Sequence, residues 1–231
     1  KVGNDVNDEI YLDGAVEPVP QTAHNATQTP WAIPGQIEAE DFDDPGKGKG
    51  AASYFESDAA NHGDSKYRDG TGVDLYAKAT GVIVGYIQKG EWLEYTINVA
   101  KAGDYTLFAA VASDGGATFK LSLDGKDFDE EIAVPAAKKE EGNEEQNFDD
   151  YSKVKANVTL PAGEHIIRFT ATSDWFDIDY FNFAEGKDAK DPAPILPPED
   201  PEAIGQSVKG LVDVEASAKY FDLRGNRVNK S

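Results

Sequence analysis

Apolar and polar residues alternate along several short segments of the chain. In WLEYTINV (92–99), every second residue from Leu93 to Val99 is apolar, and the residues between them are mostly polar. The segments FKLSLDG (119–125) and VKANVTL (154–160) repeat the pattern. A period of two residues places one side of each segment against a core, so these segments are predicted to be half-buried β-strands.

Further segments are also typical of strands. Glycine- and aspartate-rich turns such as KAGD, LDGKD and PAGEH separate many of them. No window of ten or more residues has a convincing helical pattern, so about ten short strands predict an all-β chain. We expect a β-sandwich, a jelly roll of two antiparallel sheets. The additional predicted strands are 37–43, 73–77, 81–87, 103–112, 128–134, 164–172 and 175–183.

Composition changes along the chain and predicts four segments. Residues 1–35 are polar and proline-rich, which is typical of a linker or of the end of an upstream domain. Residues 36–184 form the β-sandwich domain. Residues 185–202 are a second Pro-rich linker, and 203–231 are a small tail with a predicted β-hairpin turning at the Gly-Asn pair 225–226. The chain has no methionine, so we expect a mature protein or a piece excised from a longer one.

The charge of the chain limits its partners. It carries 43 acidic and 22 basic residues, a formal net charge of -21, which repels nucleic acid, anionic membranes and polyanionic glycans. Neutral and cationic partners are compatible with this charge, which solubility alone would also explain. No apolar run approaches the roughly 20 residues that a membrane-spanning helix needs. Without cysteine, disulfides and thiol nucleophiles are excluded.

Two pairs of carboxylates have the same spacing near the two ends of the predicted domain. Alternation places Glu38 and Glu40 on one face of a strand, with Cα atoms about 6.5–7 Å apart. Asp177 and Asp179 repeat the spacing, and the first and last strands of a sandwich often pair. If these carboxylates meet, a hard cation such as Ca²⁺ would neutralise them. Alternatively all four point to water, or Glu38, Glu40 or Asp177 serve a small glycosidase, which uses two acids.

Other catalytic chemistry finds little support in the sequence. His24, His62 and His165 are far apart in the chain, and no zinc motif, nucleophile elbow or phosphate-binding loop is present. Two aromatic residues, Tyr67 and Phe148, fall in predicted loops. Aromatic rings flanked by hydrogen-bonding groups hold sugar rings, although both rings could instead cap the core.

Five segments, in this order, resemble the family 6 carbohydrate-binding modules. They are IEAEDFD, YRDGTGVDL, VGYIQKGEWLEYTINVAKAGDYTL, VTLPAGEHIIRF and FDIDYFNF, within residues 36 to about 184. The resemblance implies a β-sandwich that binds polysaccharide without cleaving it and holds a structural calcium ion. Glu38, Glu40 and Asp179 match the family's metal ligands, and backbone carbonyls of residues 64–69 would complete the site.

The resemblance also implies a sugar-binding cleft among the loops at one edge of the sandwich. Tyr67 matches its first aromatic ring, and Phe148 stands where the family usually has tryptophan. Asp177 replaces the usual asparagine, and an aspartate accepts hydrogen bonds but cannot donate them. Some members have a second cleft on the concave sheet face, to which Trp92 would contribute. We favour a structural role for Trp92.

The implied function is binding of a neutral polysaccharide, xylan or a β-glucan, by a secreted bacterial module that is expected to be monomeric. The segment TPWAIPGQIEAEDF is similar to junctions that join such modules to an upstream glycoside hydrolase or esterase. The tail YFDLRGNRV looks like the sorting or attachment segments of secreted polysaccharide-degrading enzymes. Two alternatives remain at this point: a small glycoside hydrolase, and a spacer module without a ligand.

Overall fold

Short β-strands account for most of the regular structure of the protein. The computed structural model describes residues 19–48, 51–79, 81–139, 141–142 and 144–193, together with the backbone of 220–221 and 227–228. A 3₁₀ turn, Ala39–Asp41, follows the second strand. The strands are β1 (Trp31–Ile33), β2 (Gly35–Glu38), β3 (Tyr54–Phe55), β4 (Leu75–Lys78), β5 (Gly81–Ile87), β6 (Trp92–Val99), β7 (Gly103–Ala112), β8 (Ala117–Leu123), β9 (Lys126–Val134), β10 (Ser152–Leu160), β11 (Gly163–Ala171), β12 (Phe176–Glu185), β13 (Tyr220–Phe221) and β14 (Arg227–Val228).

Two six-stranded sheets form the sandwich. The first has the strand order β1-β6-β11-β8-β9, and β3 also pairs with β6. The second has the order β10-β7-β12-β5-β4, and β2 also pairs with β12. Within the two sheets the pairings are antiparallel except for the parallel pair β1–β6. The predicted all-β sandwich of two antiparallel sheets is confirmed.

Aromatic rings from both sheets meet in the core. The ring of Tyr95 on β6 lies 5.5 Å from that of Phe181 on β12, and Phe119 on β8 lies 6.3 Å from Phe176. All four side chains are buried. Such aromatic pairs contribute about 0.5–1.5 kcal/mol each beyond the area that they bury. The core therefore fixes β12 firmly against the facing sheet.

A β-bulge interrupts the alternation of β12. Ile178 pairs with Val111, and the next paired residue on β12, Phe181, lies opposite Ala109. An advance of three residues along β12 therefore corresponds to two residues along β7. Asp179 lies inside this bulge. A bulge redirects the side chains around it, and bulges are frequent beside functional sites.

The packed unit begins before residue 36. Strand β1 lies within the expected linker 1–35, Ile33 is fully buried, and the backbone of Val19 pairs with that of Lys47. Three residues followed by Pro34 are too few to show a period, which explains why the sequence pattern did not indicate this strand. Residues 1–18 of the expected linker lie outside the described residues.

Strand β9 is the last strand of the first sheet and is strongly charged. Charged side chains on an edge strand discourage another chain from adding a strand to the sheet. The exposed charged residues on β9 are Lys126, Asp127, Asp129, Glu130 and Glu131.

Residues 196–231 belong to a second unit. In it, β13 and β14 pair antiparallel, at the positions where a hairpin is predicted. The predicted turn at 225–226 lies outside the described residues. Among the residues that the structure describes, no helix is long and apolar enough to cross a membrane.

Candidate functional site

A groove of about 360 Å³ opens beside the second sheet. Pockets of about 300–1,000 Å³ lined by aromatic rings and a few polar groups are typical ligand sites. Its aromatic lining comes from β4, from β5, from the loop before β10 and from the residue before β12. The aromatic residues are Tyr76, Tyr86, Phe148 and Trp175, and the polar residues are Lys78, Gln146 and Asp177.

Two of these rings, Tyr86 and Trp175, form a right-angled corner. Their centroids are 5.0 Å apart with an angle of 86° between the ring planes. The two side chains are 48% and 47% exposed, although both are large and largely apolar. On its other side, Tyr86 stacks against His62 at 5.9 Å, and His62 Nε2 lies 2.9 Å from Asp58 Oδ2. Neighbouring groups therefore hold the corner in place while leaving ring surface open to solvent.

Both corner residues have left-handed backbone conformations. The φ angle is 57° at Tyr86 and 65° at Trp175, a region that costs an L-residue about 1–2 kcal/mol. Backbone contacts fix Trp175: its N–H donates to the carbonyl of Ile87 and its carbonyl accepts from Ser113 Oγ, each at 2.8 Å. Strained backbone at bulky residues is frequent at binding sites, so this conformation makes the corner a candidate for one.

Asp177 is the carboxylate of the groove and is only 6% exposed. Burial raises its pKa to about 7, against the opposing effects of a hydrogen bond from the Tyr86 backbone and of nearby Lys78. Gly85 makes this approach feasible, since a Cβ there would lie 2.8 Å from Asp177 Oδ1. The chain therefore needs glycine at 85 to bring β5 against this carboxylate.

The acidic loop before β10 forms one wall of the groove. Asp149 Oδ1 forms an ion pair with Lys78 Nζ at 2.6 Å. The backbone N–H of Asp149 donates a hydrogen bond to Asn147 Oδ1. The N–H of Asn147 donates to Asp114 Oδ1 at 2.8 Å. These contacts hold Phe148 in the groove lining.

The structure places Tyr67 outside the groove lining. Its hydroxyl donates a hydrogen bond to Asp41 Oδ1, and its ring packs edge-on against His24 at 5.7 Å. Tyr86, which the sequence analysis placed in a strand without a binding role, lines the groove. The glycine before Tyr86 was the available signal, because it marks a close approach at that point of β5.

Trp92 lies on β6, in the sheet that does not contribute to the groove. The guanidinium of Arg168 covers one face of its ring at 3.8 Å. Arg168 is itself fixed by Glu94 Oε1, which accepts from Nε at 2.8 Å. A ring face covered by a fixed cation cannot stack on a sugar, which favours the structural role for Trp92.

The three predicted metal ligands come from different elements. Strand β2 ends at Glu38, Glu40 lies in the 3₁₀ turn, and Asp179 lies in the bulge of β12. The prediction that Glu38 and Glu40 share one strand face is therefore wrong. Ala39 and Phe42 are both fully buried. Residues three positions apart point to opposite faces of an extended strand, so the chain must turn to bury both on the same side.

Burial raises the pKa of all three carboxyl groups, and repulsion from neighbouring carboxylates adds to the rise at Glu38 and Glu40. Burial raises the pKa of Glu40 to about 9, with additional contributions from Asp41, Glu38 and Asp179. It raises the pKa of Glu38 to about 7 and that of Asp179 to about 6. Glu40 Oε2 is buried and has no hydrogen-bond partner among the described residues. A buried carboxylate oxygen without a partner is costly, and a cation would satisfy it.

The donor set fits a calcium ion in its chemistry. All three side chains are carboxylates, the ligands that hard cations prefer. In the part of the chain that the structure describes, no group of three or more Asp, Glu, His or Cys side chains is arranged to hold a metal ion as it stands. Glu38 and Asp179 both contribute to the raised pKa of Glu40, whose buried Oε2 lacks a hydrogen-bond partner among the described residues. The three carboxylates do not surround a common point.

Comparison with known proteins identifies a family for just over half of the chain. The model of the family "Carbohydrate binding module (family 6)" matches residues 65–185. Comparison with curated protein sequences gives no significant match.

Similar solved structures include three family 6 modules. One from Clostridium stercorarium in complex with cellobiose has 20% identity and a TM-score of 0.49, covering 68% of this chain and 98% of that chain. One from Cellvibrio mixtus lichenase 5A in complex with cellotriose has 20% identity and a TM-score of 0.47, covering 67% and 99%. One from Clostridium cellulolyticum in complex with xylose has 20% identity and a TM-score of 0.45, covering 67% and 99%. On its family match over residues 65–185, the chain belongs to the family 6 carbohydrate-binding modules, a family of non-catalytic binding modules.

Proposed function

We propose that the groove binds a neutral β-linked polysaccharide, a β-glucan or xylan, and leaves it uncleaved. The observation that carries this proposal is the corner of Tyr86 and Trp175, whose exposed rings stand 86° apart beside a buried carboxylate. Two perpendicular rings offer one surface for the C–H face of a pyranose and another for its edge. Asp177 and Gln146 supply hydrogen-bonding groups to the sugar hydroxyls.

The fixed backbone of the corner favours affinity. Ordering flexible side chains costs about 0.5–1.5 kcal/mol each on binding, and a rigid site avoids part of that cost. Trp175 is held by backbone hydrogen bonds on both sides, and Tyr86 lies between His62 and Trp175. The rings are thus positioned before a sugar arrives.

Hydrolysis fits the groove less well than binding. Glycosidases use two carboxyl groups, about 5–9.5 Å apart, on either side of the scissile bond. Among the described residues that line the groove, Asp177 is the one carboxylate. Glu38 and Glu40 lie in and beside β2, in the other carboxylate cluster.

The carboxylate cluster supports a calcium site. Glu38, Glu40 and Asp179 would hold the ion, and backbone carbonyls of residues 64–69 would complete its shell. The hydrogen bond from Tyr67 to Asp41 supports this assignment because it brings that loop to the residue next to Glu40. The bound ion would supply positive charge to the buried Glu40 and the half-buried Glu38 and Asp179.

In the full protein, we expect the module to be secreted by a bacterium as a monomer and to hold an attached glycoside hydrolase or esterase near its substrate. A linked binding module raises the effective concentration of the enzyme on the polymer, so modest affinity suffices. The net charge of -21 is compatible with neutral plant or algal polysaccharides.

Isothermal titration with cello-, laminari- and xylo-oligosaccharides tests the proposal. We expect measurable binding to at least one series, and a loss of about tenfold or more in Tyr86→Ala, since the ring supplies much of the contact. Phe55→Ala is the matched control because Phe55 is equally exposed, at 48%, but lies on the other sheet. No heat with any series, together with no retention on insoluble glycans, would overturn the proposal.

A further inference from the structure

The buried carboxylate of the groove forms no ion pair with the lysines, arginines and histidines that the structure describes, and its nearest cationic influence is Lys78. Asp177 accepts a hydrogen bond from the backbone N–H of Tyr86. Within the described residues, no lysine, arginine or histidine forms an ion pair with it. A carboxylate that is 6% exposed and borders an open groove is stabilised by a cation placed in that groove.

The lysine in the groove lining does not meet this need. The Nζ atom of Lys78 lies 2.6 Å from Asp149 Oδ1, which places the ammonium in an ion pair with the loop wall. One positive and two negative charges thus surround this end of the groove. The net charge at this end of the groove is negative, because Lys78 is paired with Asp149 and the charge of Asp177 is not balanced.

Further carboxylates add negative charge near Tyr76 of the groove lining. Burial first, and then the charges of Asp74, Asp177 and Asp64, raise the pKa of the Tyr76 hydroxyl to about 12. Asp64 and Asp74 are held in place by backbone N–H groups of Ala77 and His62 respectively. A cation entering the groove meets this field, within a chain whose net charge is -21.

The aromatic lining favours the same kind of ligand. A cation over the face of an aromatic ring gains about 0.5–1 kcal/mol at exposed sites. Tyr76, Tyr86, Phe148 and Trp175 present rings to the groove next to the Asp177 carboxylate. Rings combined with a carboxylate suit a ligand that has both apolar C–H faces and a positive charge.

We propose that the groove prefers β-linked sugars that carry a primary ammonium group, such as glucosamine oligomers, over their neutral counterparts, and that Asp177 determines this preference. The inference rests on the proposed carbohydrate binding in the groove and adds the class of sugar. The ammonium donates a charge-assisted hydrogen bond to the carboxylate, which is roughly twice as strong as a neutral one. A sugar hydroxyl at the same position can also donate to the carboxylate but brings no positive charge to pair with it.

Titration calorimetry with glucosamine oligomers and with cello-oligosaccharides of equal length, near neutral pH, tests this preference. We expect the glucosamine oligomers to bind about tenfold more tightly, and the difference to shrink as ionic strength rises. In Asp177→Asn the preference should vanish, so that glucosamine oligomers and cello-oligosaccharides bind that variant with affinities within about threefold of each other.

A matched control separates the site from general attraction between a polycation and an acidic protein. Asp129→Asn removes the same single charge from exposed strand β9, on the other sheet, and should leave the preference unchanged. Equal loss in both variants, or glucosamine oligomers that bind no more tightly than cello-oligosaccharides, would overturn the inference and leave carbohydrate binding intact. No binding of either sugar would overturn the proposed function together with the inference.

Discussion

Replacing Trp175 by alanine and, separately, by glycine distinguishes the strain at this residue from the contribution of its ring. Both variants lose the ring and its contact with Tyr86, so those losses cancel when the two are compared. Alanine keeps the cost of a left-handed backbone, here φ 65°, whereas glycine does not.

The expected difference in stability follows from two opposing contributions. Relief of the left-handed conformation is worth about 1.5 kcal/mol, the middle of a range of about 1–2 kcal/mol. Glycine lowers the free energy of unfolding by about 0.7 kcal/mol relative to alanine, because it increases the conformational entropy of the unfolded chain. Trp175→Gly should therefore be more stable than Trp175→Ala by about 0.8 kcal/mol, which corresponds to about 2–3 °C in Tm for a unit of this size.

Urea denaturation and oligosaccharide titration of both variants measure the two effects. Affinity should fall about two- to twelvefold in each variant, the equivalent of about 0.5–1.5 kcal/mol for a lost ring contact. Equal stability of the two variants would refute the claim of strain at Trp175. Wild-type affinity in either would show that the ring does not touch the ligand.

Three further predictions concern other parts of the molecule. Adding Ca²⁺ should raise Tm and a chelator should reverse the rise, whereas Glu40→Gln should lose most of this response in thermal denaturation. Glu56 has a pKa raised to about 9, by burial first and then by a hydrogen bond and repulsion from Glu91, so the folded state holds an extra proton between about pH 4.5 and 9. Stability should therefore fall as pH rises through this window, and a Glu56→Gln variant whose denaturation midpoint falls as steeply with pH would contradict this assignment. Trp92→Ala should lower the free energy of unfolding by uncovering Arg168, yet keep groove affinity within about twofold in titration, and a larger loss of affinity would place Trp92 in a binding site.

The sequence predicted those strands in which apolar and polar residues alternate clearly and turn residues stand at both ends. The predicted bounds 81–87, 92–99 and 103–112 match β5, β6 and β7. The predicted strand 37–43 ends early at Glu38, because Ala39 and Phe42 are buried three positions apart and require a turn. A pattern with period two cannot indicate such a change before the packing is known.

The candidate site was predicted only in part, for a similar reason. Phe148 and Asp177 lie in the groove, as their positions relative to family motifs implied. Tyr86 and Trp175 lie within predicted strands, where aromatic residues normally indicate core. Their outward direction depends on left-handed φ angles, and hydrophobic alternation carries no information about the sign of φ. The calcium ligands stay a prediction.

The charged edge strand β9 has a consequence for a module that gathers on a solid polymer. Adsorption crowds many copies of a sandwich side by side, the situation in which unpaired backbone edges join into fibrils. Five charged side chains, four of them acidic, make neighbouring copies repel along that edge. On the polysaccharide that we propose as its ligand, adsorbed copies should therefore stay separate along this edge.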